Sequence, residues 1–352
     1  MRRPIARFSR PETPSPSRRT PPLGRRGFLR SLGATTLVIA GACVAQGVPR
    51  SAEPAVGQAA APLVLNGLPT PAGSLRLLGG LALDDAVIGF GGFSGLHLDA
   101  ALRLTAISDI GRFFTARLVL HEDGVPAGLA GLRTGRLRDG SGAPLPRGFS
   151  GDAESLARLP DGTWLVGFER WHRIRAHARL DGPGTYVEAP PGIEQAPANG
   201  GLEALAVLAD GRWLAIAEKH APPETPDLRH AWIGGPGRWL PVAYRPGTDF
   251  DPSDAAPLPD GGALVLERRF SIFGGFRARL VRVPAAALAA SRQGAVIEGD
   301  ELLRLEPPWP ADNWEGVTAV RLANGRTLVA LITDDNQNVL QRSMLLLFTL
   351  DD

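Results

Sequence analysis

Short apolar runs interrupted by Asp-Gly or Asn-Gly set the rhythm of this chain. "ESLARLPDGTWLVGFER" occupies residues 154–170 and "EALAVLADGRWLAIAEK" residues 203–219. Looser versions read "DAAPLPDGGALVLERR" from Asp254, "EGVTAVRLANGRTLVALITDD" from Glu315 and "SGLHLDAALRLTAISDIGR" from Ser94. Each holds a short apolar run, a turn dipeptide that tolerates positive φ, and a second apolar run: the pattern of a β-hairpin. The turns fall at Asp161-Gly162, Asp210-Gly211, Asp260-Gly261 and Asn324-Gly325. No long segment outside the first fifty residues has a helical period, and residues 284–293 predict one short helical turn.

The start points 94, 154, 203, 254 and 315 define a unit of roughly 50 residues, which is the signature of a repeat fold. Many antiparallel hairpins and almost no helix predict an all-β chain, a β-propeller with one four-stranded blade per unit. Five blades are counted, and the two intervals of about 60 residues leave room for a sixth. The strand at 75–85 is expected to pair with "SMLLLFTL" (343–350), closing the ring and removing free edges.

This geometry predicts a site. The first strand of each hairpin starts at an acid and the second returns to one, so both acids lie at the end opposite the turn. Glu154, Glu203, Asp254 and Glu315 come from first strands, with Ser94 in the equivalent place of the first unit. Glu169, Glu218, Glu267, Asp334 and Asp109 come from second strands. Asn199, Asn313 and Asn336 add amides; Arg170, Arg268, Arg342 and Lys219, the only lysine, add cations. Crowded carboxylates require bound cations, paired arginines or raised pKa values.

Composition separates a leader from the rest. The formal charge is +2, but the first fifty residues hold ten arginines and one acid, leaving 28 basic against 35 acidic residues in 51–352, a formal −7. The basic balance therefore gives no case for nucleic-acid binding. Arg25 and Arg26, followed by Gly27, Phe28, Leu29 and an apolar run to about Val44, resemble a twin-arginine export signal. That run is too short and too rich in small residues to span a bilayer comfortably. The only cysteine, Cys43, is read as a small residue of this run and not as a lipid anchor, so the exported chain has no thiol chemistry. Residues 1–50 are thus expected to be a signal peptide, 51–73 an unstructured linker and 74–352 one domain, a monomer in the periplasm or outside the cell.

Several phrases in order resemble the phytase-like family, described by esterase-like activity of phytase. They are "FGGFSGL" (90–96), "AESLARLPDGTWLVGFER" (153–170), "NGGLEALAVLADGRWL" (199–214), "DAAPLPDGGALVLERRF" (254–270), "DNWEGVTAV" (312–320) and "ITDDNQNVLQR" (332–342). The resemblance spans roughly 74–351 and implies an exported bacterial propeller with a hydrolase assignment; it carries over no catalytic residues.

From the residues themselves, a metal-assisted hydrolase of phosphate or carboxylic esters is the first expectation. A hard cation such as Ca²⁺ takes six to eight oxygen ligands. Glu154, Glu203, Asp254, Glu315, Asp335, Asn313 and Asn336 are its candidate ligands, and Glu154, Glu203, Glu315 and Asp334 the candidate catalytic groups. Arg170, Lys219, Arg268 and Arg342 are the candidate holders of an anionic substrate. A lactonase or sugar-acid hydrolase on the same scaffold, or a non-catalytic periplasmic binding propeller, are the alternatives. Other chemistries fit poorly. Gly92, Ser94 and Gly95 do not have nucleophile-elbow spacing, and His172 and His177 fall on opposite faces of a strand-like segment.

Overall fold

The computed structural model describes residues 58–71, 73–338 and 340–351. The expected export signal, with Arg25, Arg26 and Cys43, lies outside the described residues. Among those, no helix is long and apolar enough to cross a membrane.

The strands form five antiparallel sheets arranged as the blades of a propeller. Blade 1 comprises Phe93–Leu98, Arg103–Ser108, Arg112–Leu120 and Pro126–Arg136; blade 2 Ala153–Arg158, Trp164–Phe168, Arg173–His177 and Gly184–Val187. Blade 3 comprises Leu202–Val207, Trp213–Ala217, Arg229–Gly234 and Leu240–Tyr244, with Val296–Ile297 added in parallel at its outer edge. Blade 4 comprises Asp251–Pro257, Ala263–Ser271, Gly275–Val283 and Asp300–Leu305. Blade 5 begins with Asn313–Arg321, Thr327–Asp334 and Met344–Leu350 and is completed by Leu75–Leu83 from the other end of the domain. Leu75 lies opposite Leu350 and Ala82 opposite Met344, as the closing pair was expected to lie.

The turn residues do what their chemistry predicts. The side-chain oxygens of Asp161, Asp210, Asp260 and Asn324 each accept the N–H two residues on, at 2.8–3.1 Å. The glycines that follow have φ of 82–91°, a region that costs any side chain with a Cβ.

Buried apolar residues fall into five clusters, and each cluster joins two neighbouring blades. Five sheets with five interfaces make a closed ring, so the 60-residue intervals hold no sixth blade. They hold connections instead: residues 137–152 between blades 1 and 2, and the stretch with helix Ala285–Ala289 beside blades 3 and 4. The first strands contact one another around the axis. Crowding there is tight, since a Cβ on Gly95 would come within 2.9 Å of the Leu156 backbone N. Two local features were not anticipated. Ala60–Pro62, inside the expected unstructured linker, pairs with Leu81–Leu83 as a fifth strand of blade 5. Asp84 caps a short helix, Asp85–Ile88, by accepting the N–H groups of Ala86 and Val87.

Candidate active site at the acidic mouth

Every first strand carries a β-bulge at the same place. It lies between Phe93 and Gly95, Ala153 and Ser155, Leu202 and Ala204, Pro252 and Asp254, and Trp314 and Gly316. A bulge leaves one residue unpaired and re-aims its side chain. The bulged residues are Ser94, Glu154, Glu203, Ser253 and Glu315. One residue after the partner of the residue that precedes each bulge, the second strands supply Asp109, Glu169, Glu218, Arg268 and Asp334. These ten positions form the end of the ring opposite the Asp-Gly turns.

Blade 4 corrects the sequence reading by one residue. Asp254 was expected at the mouth, but Ser253 is the bulged residue. Asp254 instead stands where the other blades have Gly95, Ser155, Ala204 and Gly316. Fully buried, it accepts the N–H groups of Val317 and Ala255, both at 2.8 Å, and so ties blade 4 to blade 5. Glu267 likewise gives way to Arg268. Its carboxylate accepts from Tyr244 Oη (2.6 Å), Gly247 N (3.0 Å) and Arg279 Nε (2.5 Å). A one-residue slip in a strand moves every side chain to the other face. The sequence does carry the signal: seven residues before the turn Asp is Glu154 in blade 2, Glu203 in blade 3 and Ser253 in blade 4.

The remaining side chains divide into braces and free ligands. Ser94 Oγ donates to Ala153 O at 2.5 Å and Ser253 Oγ to Trp314 O at 3.2 Å, each linking its blade to the next. Arg268 spans the ring: its Nη2 lies 3.1 Å from Glu218 and its Nε 2.9 Å from Glu315. Burial works against its charge, but Glu315, Glu218 and Glu203 more than offset this and hold its pKa above the ordinary arginine value. Asn313 Nδ2 donates to Glu315 Oε1 (2.8 Å) and Asp334 Oδ2 (3.2 Å).

Blades 2 and 3 bring five carboxylates together, of which Glu218 is also a partner of the Arg268 brace. One oxygen each from Asp152, Glu154 and Glu169 lies within 4.8 Å of the others, and the same holds for Glu169, Glu203 and Glu218. The two triads share Glu169 and could hold a metal ion. Asp152 was missed from the sequence because it precedes the repeated phrase. Its carboxylate pairs with Arg170 Nε at 2.6 Å, and Glu218 pairs with Lys219 Nζ at 2.8 Å. Among the described residues, no protein group donates a hydrogen bond to the side chains of Glu154 or Glu203. Asn313 Oδ1 is also buried without a partner. Unpaired acceptors of this kind suit a cation.

The electrostatics agree. Burial, followed by Asp152 and Glu169, pushes Glu154 well above the usual carboxylate range. Burial, followed by Glu218 and Glu154, does the same to Glu203. Asp152 rises to about 6, with burial the main cause and Arg170 opposing it. Glu315 rises to about 7 by burial against the pull of Arg268, and Asp334 to about 8 by burial and the Glu315 charge.

Three expected site residues are engaged elsewhere. Asp335 Oδ1 accepts from Gly92 N (2.8 Å) and Gln337 N (3.1 Å), pinning its loop to blade 1. Asn336 is exposed at positive φ, with its amide on Gln341. Arg342 is exposed and engages through its backbone, with its N–H 3.3 Å from Asp312 and its carbonyl accepting from Thr333.

Solved structures similar to this chain include a gluconolactonase from Xanthomonas campestris (13% identity, 83% of this chain and 98% of that one, TM-score 0.40). A PQQ-bound aldose sugar dehydrogenase from Streptomyces coelicolor shares 13% identity over 80% of this chain and 100% of that one, with a TM-score of 0.44. An endo-arabinase from Bacteroides thetaiotaomicron shares 11% identity over 76% and 96%, also at 0.44. No curated protein matches the chain. Residues 88–337, most of the propeller, match the Phytase-like family, described as esterase-like activity of phytase, and the chain belongs to that family.

Proposed function

We propose that this protein is a cation-dependent hydrolase of phosphate or carboxylic esters, with its site at the acidic mouth. The observation that carries this reading is the double triad of Asp152, Glu154, Glu169, Glu203 and Glu218, in which the side chains of Glu154 and Glu203 accept no hydrogen bond from the protein among the described residues. Calcium suits these hard oxygen donors, with Glu154, Glu203 and Glu169 at the centre of the ligand set. A bound cation would supply Lewis-acid polarisation of the ester oxygen.

The chain's own residues do the rest. Asp334, with its pKa raised to about 8, holds a proton at neutral pH and can give it to a leaving oxygen as general acid. Glu315, raised to about 7, stands beside it under the control of Arg268 and Asn313. Arg170 and Lys219 are 44% and 47% exposed at the rim, where their charges can hold an anionic substrate. Arg268 is committed to Glu218 and Glu315 and serves the site as a brace. On the arginine-led leader we also propose export to the periplasm.

An activity panel tests this: a phosphomonoester, a carboxylic ester, phytate and a lactone, each with and without Ca²⁺. Turnover of at least one ester is expected to require the cation and to fall about 100-fold or more in Glu154→Gln, Glu203→Gln and Asp334→Asn. Variants that fold normally and retain full activity would refute the assignment.

A further inference from the structure

A second charged site lies on the other side of the molecule. A cleft of about 980 Å³ opens between blades 1 and 2, reaching Gly162 of the Asp161-Gly162 turn and so the end opposite the mouth. Arg103, Arg117 and Arg133 of blade 1 line it, together with Arg158 and Arg179 of blade 2. The only acids there are Asp99 and Asp181. Asp181 is spent on Arg179, which grips it with two bonds of 2.7 and 2.9 Å. Asp99 Oδ1 accepts the N–H groups of Ala101 and Arg103, and its other oxygen is 3.9 Å from Arg158.

Arg103, Arg117 and Arg133 are left with no carboxylate partner among the described residues. Arg103 and Arg117 are direct cross-strand neighbours, and Thr115, two residues along from Arg117, lies opposite Arg133. The three guanidinium groups therefore stand on one face of the blade. Like charges directly opposed in a sheet repel. Residues 51–352 carry a formal −7, so a cleft this basic is not a by-product of a basic chain.

We propose that this cleft binds a small molecule carrying several phosphate groups, whose oxygens match the forked donors of arginine and relieve the repulsion between Arg103 and Arg117. The volume suits a small-molecule ligand, and the site is separate from the acidic mouth.

Calorimetry of the full-length chain with inorganic tripolyphosphate, in EDTA to silence any cation at the mouth, tests the proposal. One molecule is expected to bind, more weakly as salt is raised from about 50 to about 300 mM. Arg103→Gln/Arg117→Gln should weaken binding by about 10-fold or more, and Arg133→Gln, at an exposed position, should do so independently. Glu203→Gln at the mouth and Arg292→Gln on the remote surface should leave it unchanged. Absence of binding, equal binding by the cleft variants, or an equal loss in Arg292→Gln would each overturn the proposal.

Discussion

Removing Arg268 should destabilise the propeller in a strongly pH-dependent way. Its guanidinium lies 3.1 Å from Glu218 and 2.9 Å from Glu315, and both carboxylates are nearly out of solvent. At an effective dielectric of about 20, unit charges about 4 Å apart attract by about 4 kcal/mol. Two such pairs set an upper bound, from which the cost of dehydrating the ions must be taken. Deleting one partner of a buried pair costs about 3–5 kcal/mol, because the remaining charge has no compensation. Arg268→Met should therefore lose roughly 3–4 kcal/mol at pH 8 in urea unfolding of the metal-free chain. Near pH 5 the loss should shrink below about 1 kcal/mol, because the carboxylates escape by taking up protons. Glu315 already titrates at about 7 with the arginine in place and must rise further without it. Arg268→Met/Glu315→Gln should recover about half of the loss. A loss under about 1 kcal/mol at pH 8, or one independent of pH, would refute the bracing role.

Other consequences are open to the same kinds of measurement. Asp152, Glu315 and Asp334 titrate at about 6, 7 and 8 in the folded chain, above the ordinary carboxylate value. The folded state thus holds protons the unfolded chain has released. The contribution of these three groups to the stability of the metal-free protein should be fully present below about pH 4 and be lost as pH rises through 6 to 8, followed by thermal unfolding in EDTA. Gly201→Ala would drive a Cβ into the His172 ring and should cost about 1–3 kcal/mol in urea unfolding; a neutral result would mean that this loop yields freely. Tyr244→Phe removes the 2.6 Å bond to buried Glu267 and should cost about 1.5–3 kcal/mol, with activity retained.

The fold was readable because one hairpin is written five times. The Asp-Gly turns are local chemistry, and the strand at 75–83 could only be placed by the need to cover the edge of Met344–Leu350. Blade number followed once residues 137–152 proved to be a connection. The site was less readable, and blade 4 explains why. Glu154 and Glu203 announce themselves in matching phrases, whereas in blade 4 an acid stands one place after the bulge at Asp254 and one place before the mouth position at Glu267. Aligning acid to acid selected two residues that bond elsewhere; counting from the turn selects Ser253 and Arg268. Asp335 looked like a ligand because Asp serves turns and cations with the same oxygens, and Asn336 stands beside it in that turn at positive φ with its amide on Gln341. Which carboxylates converge was hidden, because Glu169 meets Glu203 across a blade boundary that no spacing along the chain records.

The central claim, that the carboxylates of blades 2 and 3 hold a cation, is tested most directly by calcium titration at pH 7.5, read as the unfolding temperature. At a calcium concentration about 100 times the dissociation constant, the linkage is worth about 2.7 kcal/mol. For a domain of this size that should raise the midpoint by on the order of 5 °C. Glu169→Gln, which breaks both triads at once, should abolish the rise. An unfolding temperature indifferent to millimolar calcium, or an equal rise in Glu169→Gln, would contradict the account.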